Sequence, residues 1–258
     1  MADDARTPEL PYYEEAGAGP PLLLVHGLMV SGRMYDPVRP QLSARHRLVV
    51  PDLRGHGRSR TLPPPYTAGA LADDLTRLLD HLAIERTAVL GYSNGGIVAQ
   101  QFARDHPDRC DRLVLGATFA YNMATRREWI EGHVAPLIIR LLGMRRFARL
   151  GVSRASMQLD PQQRSWLVEL MADQDTGLML TAWRQTMAFD SREWLGQIGC
   201  PTLVLAGSAD VGIPVHHARM LAAGLPDARL AVIEGADHTM IWSRTDEFLA
   251  AVVDFLDQ

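Results

Sequence analysis

The short segment Gly91-Tyr92-Ser93-Asn94-Gly95 constrains the fold of this chain more than any other stretch of its 258 residues. It joins an apolar, strand-like run from Thr87 to Leu90 directly to a helix-like run from Ile97 to Arg104. A serine between two glycines at such a junction adopts a strained backbone that projects its hydroxyl away from the sheet. The N-terminus of the following helix favours developing negative charge. The pattern therefore predicts that Ser93 is a nucleophile on a sharp turn.

A hydroxyl is a weak nucleophile, so Ser93 needs a base that takes its proton and an acid that orients this base. Among the nine histidines, His238 follows an apolar strand directly, and Asp210 occupies the matching place after the preceding strand. Open α/β sheets gather their sites at such strand ends. We therefore predict His238 as the base and Asp210 as the orienting acid. Asp237, which adjoins the base in sequence, is interpreted as a residue that bonds its own loop.

Acyl transfer places negative charge on the former carbonyl oxygen, and preorganised donors must meet that charge. Two backbone N–H groups are predicted to form this oxyanion hole. One belongs to Asn94, just after the nucleophile, and the other to Leu28, after the turn at His26-Gly27. The side chains of His26 and His56 are interpreted as loop groups that bond backbone, because nothing else marks them as an acid or a base.

No metal and no cofactor are predicted. His216 and His217 are adjacent, but successive side chains on a helix point about 100° apart, and no cysteine is near to complete a site. Cys110 and Cys200 are far apart in the sequence, which indicates buried free thiols rather than a disulfide framework or a zinc site. The chain contains no lysine, which excludes Schiff-base chemistry and Walker-type phosphate binding.

Charge and hydropathy limit the classes of partner that this protein is expected to bind. The net charge of -4 comes without an extended basic stripe, so nucleic acid binding is not expected. No apolar run reaches the length of a membrane span, and the acidic start Met1-Ala2-Asp3-Asp4 lacks the apolar core of a signal peptide. We therefore predict a cytoplasmic protein, monomeric or homodimeric, whose partner is a small molecule.

Continuous apolar runs separated by helical spacing predict an α/β fold, in which a doubly wound, mostly parallel sheet carries an inserted helical cap. One such run is Pro21 to Val25, and helical spacing follows from Ala70 to Leu82. From 119 to 196 the strand pattern stops, while four of the five tryptophans fall in this stretch. We predict residues 1–118 and 197–258 as the core and residues 119–196 as the cap.

Seven arginines and only two acids lie between Arg126 and Arg154, around the apolar run Leu137 to Leu142. We interpret them as a solvated helix face whose arginine stems lie along apolar surface. An electropositive mouth that attracts an anionic substrate and a surface that docks on an anionic membrane are the alternatives.

Several segments together resemble the α/β-hydrolase fold superfamily over nearly the whole chain. They are His26-Gly27, Asp52 to Ser59, Gly91 to Gly96, Gly207 to Asp210 with Pro214, and Gly235 to His238. The resemblance implies a sheet of eight strands or slightly fewer, a cap between strands six and seven, and Ser93, His238 and Asp210 as nucleophile, base and orienting acid. The chain departs from the family at Asn94, where compact members more often have Met, Leu or Gln. That departure adds a polar group near the oxyanion region.

Within this superfamily, serine at position 93 argues against haloalkane dehalogenases and epoxide hydrolases, which use an aspartate nucleophile at this turn. We predict a serine hydrolase that cleaves a carboxylic ester or a lactone through an acyl-enzyme. One alternative is a carbon-carbon bond hydrolase of a diketone-type substrate, because Trp242 resembles a tryptophan of that group, although core packing explains it as well. The other is a protein that binds a ligand without turnover. The predicted substrate pocket consists of Met29, Tyr92, Trp129, Trp166 and Trp183.

Overall fold

The computed structural model describes residues 9–155 and 158–258. The acidic start of the chain, which contributes to the prediction of a cytoplasmic protein, lies outside the described residues. Within them, no helix combines the length and the apolar character that a bilayer crossing requires. The cytoplasmic location, the oligomeric state and the lack of a nucleic acid partner stay predictions.

Seven strands form one twisted sheet in the order β1-β3-β2-β4-β5-β6-β7. Only the pairing of β1 with β3 is antiparallel, and the other neighbours run parallel. This topology confirms the predicted α/β class with a mostly parallel sheet. The strands are β1 (Tyr13–Ala16), β2 (Pro21–Val25), β3 (Arg47–Pro51), β4 (Thr87–Tyr92), β5 (Cys110–Gly116), β6 (Thr202–Gly207) and β7 (Ala228–Ile233).

Helices cover both faces of the sheet, which is why its strands read as continuous apolar runs rather than alternating ones. Leu23 and Val25 point to one face, where they pack in a cluster with side chains of α2 and α3. Leu22 and Leu24 point to the other face, into a cluster with α9. The helices are α1 (Arg39–Ser43), α2 (Ala68–His81), α3 (Asn94–Asp105), α4 (Arg126–Ala155), α5 (Pro161–Ala172), α6 (Thr176–Met187), α7 (Val215–Gly224), α8 (Met240–Ser243) and α9 (Thr245–Leu256).

Helices α4, α5 and α6, which we call the cap helices, lie in the chain between β5 and β6. Gly143, with φ 72° and ψ 166°, interrupts α4 and lets it change direction. The cap helices bury a small cluster of their own, in which Met29 of the core contacts Ile139 and Met179. The cap is therefore packed onto the loop that follows β2. The exact boundaries of core and cap, at 118/119 and 196/197, stay predictions.

The beginning of α3 lies so close to β2 that position 95 has no room for a side chain. A Cβ on Gly95 would overlap the carbonyl oxygen of Val25 and lie 2.6 Å from that of His26. Because both are backbone atoms of the central sheet, they cannot turn aside as a side chain would. We expect Gly95→Ala to lower the free energy of unfolding by about 1–3 kcal/mol or more.

Urea denaturation of the purified variants measures this effect. Gly69→Ala is the matched control, because Gly69 lies in α2 with nothing within 4 Å of its added Cβ. Its helical position predicts unchanged stability or a gain of up to about 1 kcal/mol. Equal denaturation midpoints for the two variants would contradict the close approach of α3 and β2.

Candidate active site

Ser93 stands on the turn between β4 and α3, and its backbone is strained as the sequence predicts. Its φ of 54° and ψ of -121° lie in a region that residues with a side chain rarely adopt. The Ser93 N–H donates to the carbonyl oxygen of Gly116 at 2.8 Å, which fixes the turn against β5. A Cβ on Gly91 would overlap the carbonyl oxygen of Gly95, so the turn requires glycine there. The hydroxyl is held above the carboxyl ends of the strands.

The structure brings the three predicted triad residues together. The Nε2 atom of His238 lies 3.2 Å from the Oγ atom of Ser93, and its Nδ1 atom lies 2.8 Å from Oδ2 of Asp210. The other carboxylate oxygen of Asp210 accepts two N–H bonds at 2.8 Å, from Gly212 and Ile213. Both oxygens of this buried carboxylate are therefore used, and the histidine ring is oriented with one nitrogen toward the hydroxyl.

The environment of His238 favours its charged form. Burial alone would lower the pKa of the imidazole, but the carboxylate of Asp210 outweighs burial and raises this pKa above the usual 6.5. The phenol of Tyr92 donates to the carbonyl oxygen of His238 at 2.8 Å, and the two rings pack edge to face. Tyr92 thus holds the loop that carries the histidine.

Asp237 does not compete with Asp210 for the ring. Its Oδ1 atom accepts hydrogen bonds from the backbone N–H of Thr239 at 2.9 Å and from the hydroxyl of Thr239 at 2.5 Å. These contacts agree with the interpretation of Asp237 as a residue that bonds its own loop.

The two predicted oxyanion donors, Leu28 and Asn94, both line the cavity that contains Ser93. Asn94 is the first residue of α3, so its N–H is one of the four at a helix start that have no acceptor within the helix. Leu28 precedes Met29, whose φ of 64° marks a tight turn after β2. Both candidate donors are backbone N–H groups beside the turn at Ser93, so neither needs a particular side chain.

The side chain of Asn94 is bound to the cap. Its Oδ1 atom lies 2.6 Å from the hydroxyl oxygen of Thr186 on α6, and the same hydroxyl lies 3.0 Å from the carbonyl oxygen of Ala182. A hydroxyl has a single proton and can donate to only one of these two oxygens at a time. The amide of Asn94 therefore connects the turn at Ser93 to a cap helix.

His26 and His56 bond backbone, in agreement with their interpretation. The Nε2 atom of His26 accepts from the N–H of Leu53 at 2.8 Å, and its Nδ1 atom donates to the carbonyl oxygen of Gly27 at the same distance. His56 packs edge to face on this ring, and burial lowers the pKa of His56 to about 3. Both rings stay neutral near pH 7. They connect the turn after β2 to the loop after β3.

A cavity of about 530 Å³ opens above Ser93 between the core and the cap helices. Of the predicted pocket residues, Met29, Tyr92 and Trp183 line it. Sequence reasoning missed most of its lining, because helical periodicity does not tell which face of a cap helix points to the core. The missed apolar residues include Phe119, Ile130, Val134, Ile138, Phe147 and Trp242.

Two of the pocket predictions are wrong. Trp129 is 52% exposed, and its ring packs on His133 with centroids 4.2 Å apart, because α4 turns it away from the cavity. Trp166 packs edge to face on Trp242 and lines a separate cleft beside Arg33. In that position the Trp166 ring supports the wall of the substrate cavity from behind.

The arginines of α4 project into solvent. Arg127 pairs with Glu131 at 3.0 Å and lies at the cavity edge, and Arg145 pairs with Glu169 of α5. The side chain of Arg154 lies outside the described residues. The exposed heads agree with the solvated face, while substrate attraction and membrane docking stay untested hypotheses.

The expectation that His216 and His217 point in different directions is wrong. Their ring centroids are 4.1 Å apart with an interplanar angle of 38°. Both rings bend toward Glu128, which α4 brings over the start of α7. The helical spacing alone could not show this, because the third side chain comes from the cap.

Comparisons with known proteins agree with this geometry. The family model of the alpha/beta hydrolase fold matches residues 20–245. A putative carbamate hydrolase of Caulobacter sp. (strain K31) is 31% identical, over 95% of this chain and 95% of its own length. A poly(3-hydroxyalkanoate) depolymerase of Ectopseudomonas oleovorans is also 31% identical, over 92% of this chain and 84% of its own length.

Among solved structures, the enol-lactonase from Burkholderia xenovorans LB400 superimposes with a TM-score of 0.87 and 28% identity, covering 96% of each chain. The matches to these two relatives and to the enol-lactonase cover both the core and the cap of this chain. With its seven-stranded sheet and the serine turn between β4 and α3, the chain belongs to the α/β hydrolase fold family.

Proposed function

We propose that this protein is a serine hydrolase that cleaves a carboxylic ester or a lactone through an acyl-enzyme on Ser93. The observation that supports this proposal most is the pair of contacts of one imidazole, 3.2 Å to the hydroxyl of Ser93 and 2.8 Å to the carboxylate of Asp210. A general base within reach of a nucleophile, and itself oriented by an acid, is the arrangement that acyl transfer requires.

The reaction follows from the positions of these atoms. Ser93 Oγ attacks the carbonyl carbon while His238 Nε2 takes the hydroxyl proton, and the carbonyl oxygen becomes negative between the N–H groups of Leu28 and Asn94. The bond to the leaving alcohol then breaks, and His238 gives its proton to that oxygen. Water, activated by the same imidazole, cleaves the acyl-enzyme and restores Ser93. For a lactone the leaving hydroxyl stays on the product.

The cavity favours a substrate with an apolar group of moderate size next to the cleaved bond. Its volume of about 530 Å³ is within the range of small-molecule sites, and apolar side chains such as Phe119 and Trp183 dominate its lining. The names of the relatives, a carbamate hydrolase, a polyester depolymerase and an enol-lactonase, support acyl transfer as the shared chemistry. Carboxylic esters and lactones are therefore the substrate classes that we favour.

Trp242 keeps the carbon-carbon hydrolase as a second candidate, because this ring lines the same cavity as Ser93 and His238. It is also 8% exposed and packs on Trp166, as a core residue would. A panel of chromogenic acyl esters, lactones and a vinylogous diketone separates the candidates. Turnover of the diketone alone would favour carbon-carbon cleavage, and binding without any turnover would favour the ligand-binding protein.

We expect Ser93→Ala to lower kcat for a chromogenic short-chain ester by about 10⁴-fold or more, because the nucleophile is lost. We expect Asp210→Asn to lower it by about 10⁴-fold, because the amide stabilises the wrong tautomer of the histidine. Steady-state kinetics measure both effects, and circular dichroism checks folding. Ser43→Ala is the control, since its hydroxyl bonds Pro40 within α1. Wild-type turnover in Ser93→Ala would reject the mechanism.

The base must be neutral to take a proton, so we expect kcat/KM to fall as the pH drops through the raised pKa of His238. The midpoint should lie above about 6.5, the usual value for histidine. NMR titration of the imidazole provides a second measurement. In Asp210→Asn the carboxylate charge is gone while burial remains, so the pKa should move downward. An unchanged pKa in this variant would mean that another acid orients the ring.

A further inference from the structure

Three potential metal ligands meet where the cap joins the core, outside the proposed serine site. They are Glu128, in the first turn of α4, and His216 and His217, in the first turn of α7. One ligand atom from each lies within 4.8 Å of the other two. None of the three residues is among those that line the cavity above Ser93.

Both imidazoles place their Nε2 atom close to one carboxylate oxygen. The Nε2 atom of His216 is 2.9 Å from Oε1 of Glu128, and the Nε2 atom of His217 is 3.1 Å from it. The second carboxylate oxygen, Oε2, accepts the N–H of Thr125 at 2.8 Å, which fixes the orientation of the group. Two nitrogen atoms and one oxygen atom therefore lie within 4.8 Å of one another, with the oxygen close to both nitrogens.

The contact with His216 is not explained by hydrogen bonding. Although its Nε2 atom is buried and close to Oε1, the two are not aligned for a hydrogen bond, and the atom has no other such partner in the described structure. A buried polar atom without a partner is costly, and a metal ion in front of it would remove that cost. The Nε2 atom of His217, in contrast, is aligned for a hydrogen bond with the same oxygen.

The spacing suits a tetrahedral ion. Zinc binds histidine nitrogen and carboxylate oxygen at about 2.0–2.2 Å, which places two such ligands about 3.3 Å apart. The observed separations of 2.9 and 3.1 Å from the carboxylate oxygen need to open by only a few tenths of an ångström. Two imidazoles with one carboxylate select zinc and its neighbours in the transition series over magnesium or calcium, which prefer oxygen alone.

The partly exposed side chain of His216 gives an ion a path from solvent to the three ligands. The side chain of His217 is fully buried and that of Glu128 is 8% exposed, whereas that of His216 is 40% exposed. An ion can therefore arrive from solvent beside His216, and water can complete the fourth position. We propose that Glu128, His216 and His217 form a binding site for a divalent transition-metal ion of the zinc class, which connects the cap to the core.

The location gives this site a structural consequence. Helix α7 follows the loop in which Gly212 and Ile213 donate to Asp210, and Glu128 is flanked by the cavity residues Arg127 and Ile130. A bound ion would hold the first turn of the long cap helix against this loop. We expect the ion to stabilise the contact between cap and core, because none of its three ligands lines the cavity above Ser93.

The full-length protein is first treated with a chelator and then loaded with Co²⁺ or with Zn²⁺. Inductively coupled plasma mass spectrometry measures the bound metal, and visible absorption reports the coordination of cobalt. Wild type should bind about one ion per chain with the absorption of a tetrahedral site. His216→Ala and Glu128→Gln should each weaken binding by more than about 100-fold, since they remove a direct ligand. His133→Ala, an exposed histidine of the same helix, is the matched control and should bind as wild type does.

Thermal unfolding gives a readout that does not depend on catalysis. Zn²⁺ should raise the Tm of wild type and of His133→Ala, and this increase should vanish in His216→Ala. Because the His216 side chain is only half-buried, we expect the variant to fold. Failure of wild type to bind Co²⁺ would overturn the proposal and leave a plain ion pair between cap and core. Equal binding by wild type and His216→Ala would overturn it as well, because the ion would then lie elsewhere.

Discussion

The close approach of α3 to β2 is the constraint on which the proposed site depends. Gly95 lies against the backbone oxygens of Val25 and His26, and this contact brings the serine turn next to the turn that carries Leu28. The two N–H groups that would stabilise an oxyanion come from these two turns. A side chain at position 95 would separate them. The packing of α3 on β2 and the geometry of the proposed oxyanion site therefore depend on the same glycine.

A second set of contacts connects the cap to this centre. Thr186 of α6 contacts the side chain of Asn94, and Met29, in the turn after β2, packs among cap residues. Glu128 of α4 meets the two histidines of α7. Together these contacts join α4 and α6 of the cap to the start of α3, the turn after β2 and the start of α7. The cap thus shapes the cavity and at the same time stabilises the loops that hold the candidate catalytic groups.

Much of the fold could be predicted from the sequence because its signals are local. Thr87–Tyr92 reads as a buried strand, and the glycines on either side of Ser93 mark the sharp turn that follows it. The positions of Asp210 and His238 after successive strands predicted their proximity, since parallel strands bring such loops to one edge. These inferences need only strand order and backbone geometry, which short segments encode.

The sequence did not predict which side chains of the cap line the cavity, because the contacts of the cap are between distant segments. Trp129 and Trp166 are large apolar residues in the predicted cap, yet α4 exposes one and α5 packs the other behind the cavity wall. The same limit applies to His216 and His217, whose shared partner Glu128 lies 88 positions before the first of them. Which helix face turns inward is decided by tertiary packing around the Gly143 break, and no local pattern reports it.

Covalent labelling tests the central claim most directly. The protein is treated with a fluorophosphonate, which phosphonylates activated serine hydroxyls with loss of fluoride. The modified residue is identified by mass spectrometry of peptides while ester turnover is followed in parallel. The account predicts one adduct, on Ser93, whose formation parallels the loss of activity and which is absent from Ser93→Ala. Complete labelling of Ser93 with full turnover retained, or loss of activity with the adduct on another residue, would contradict it.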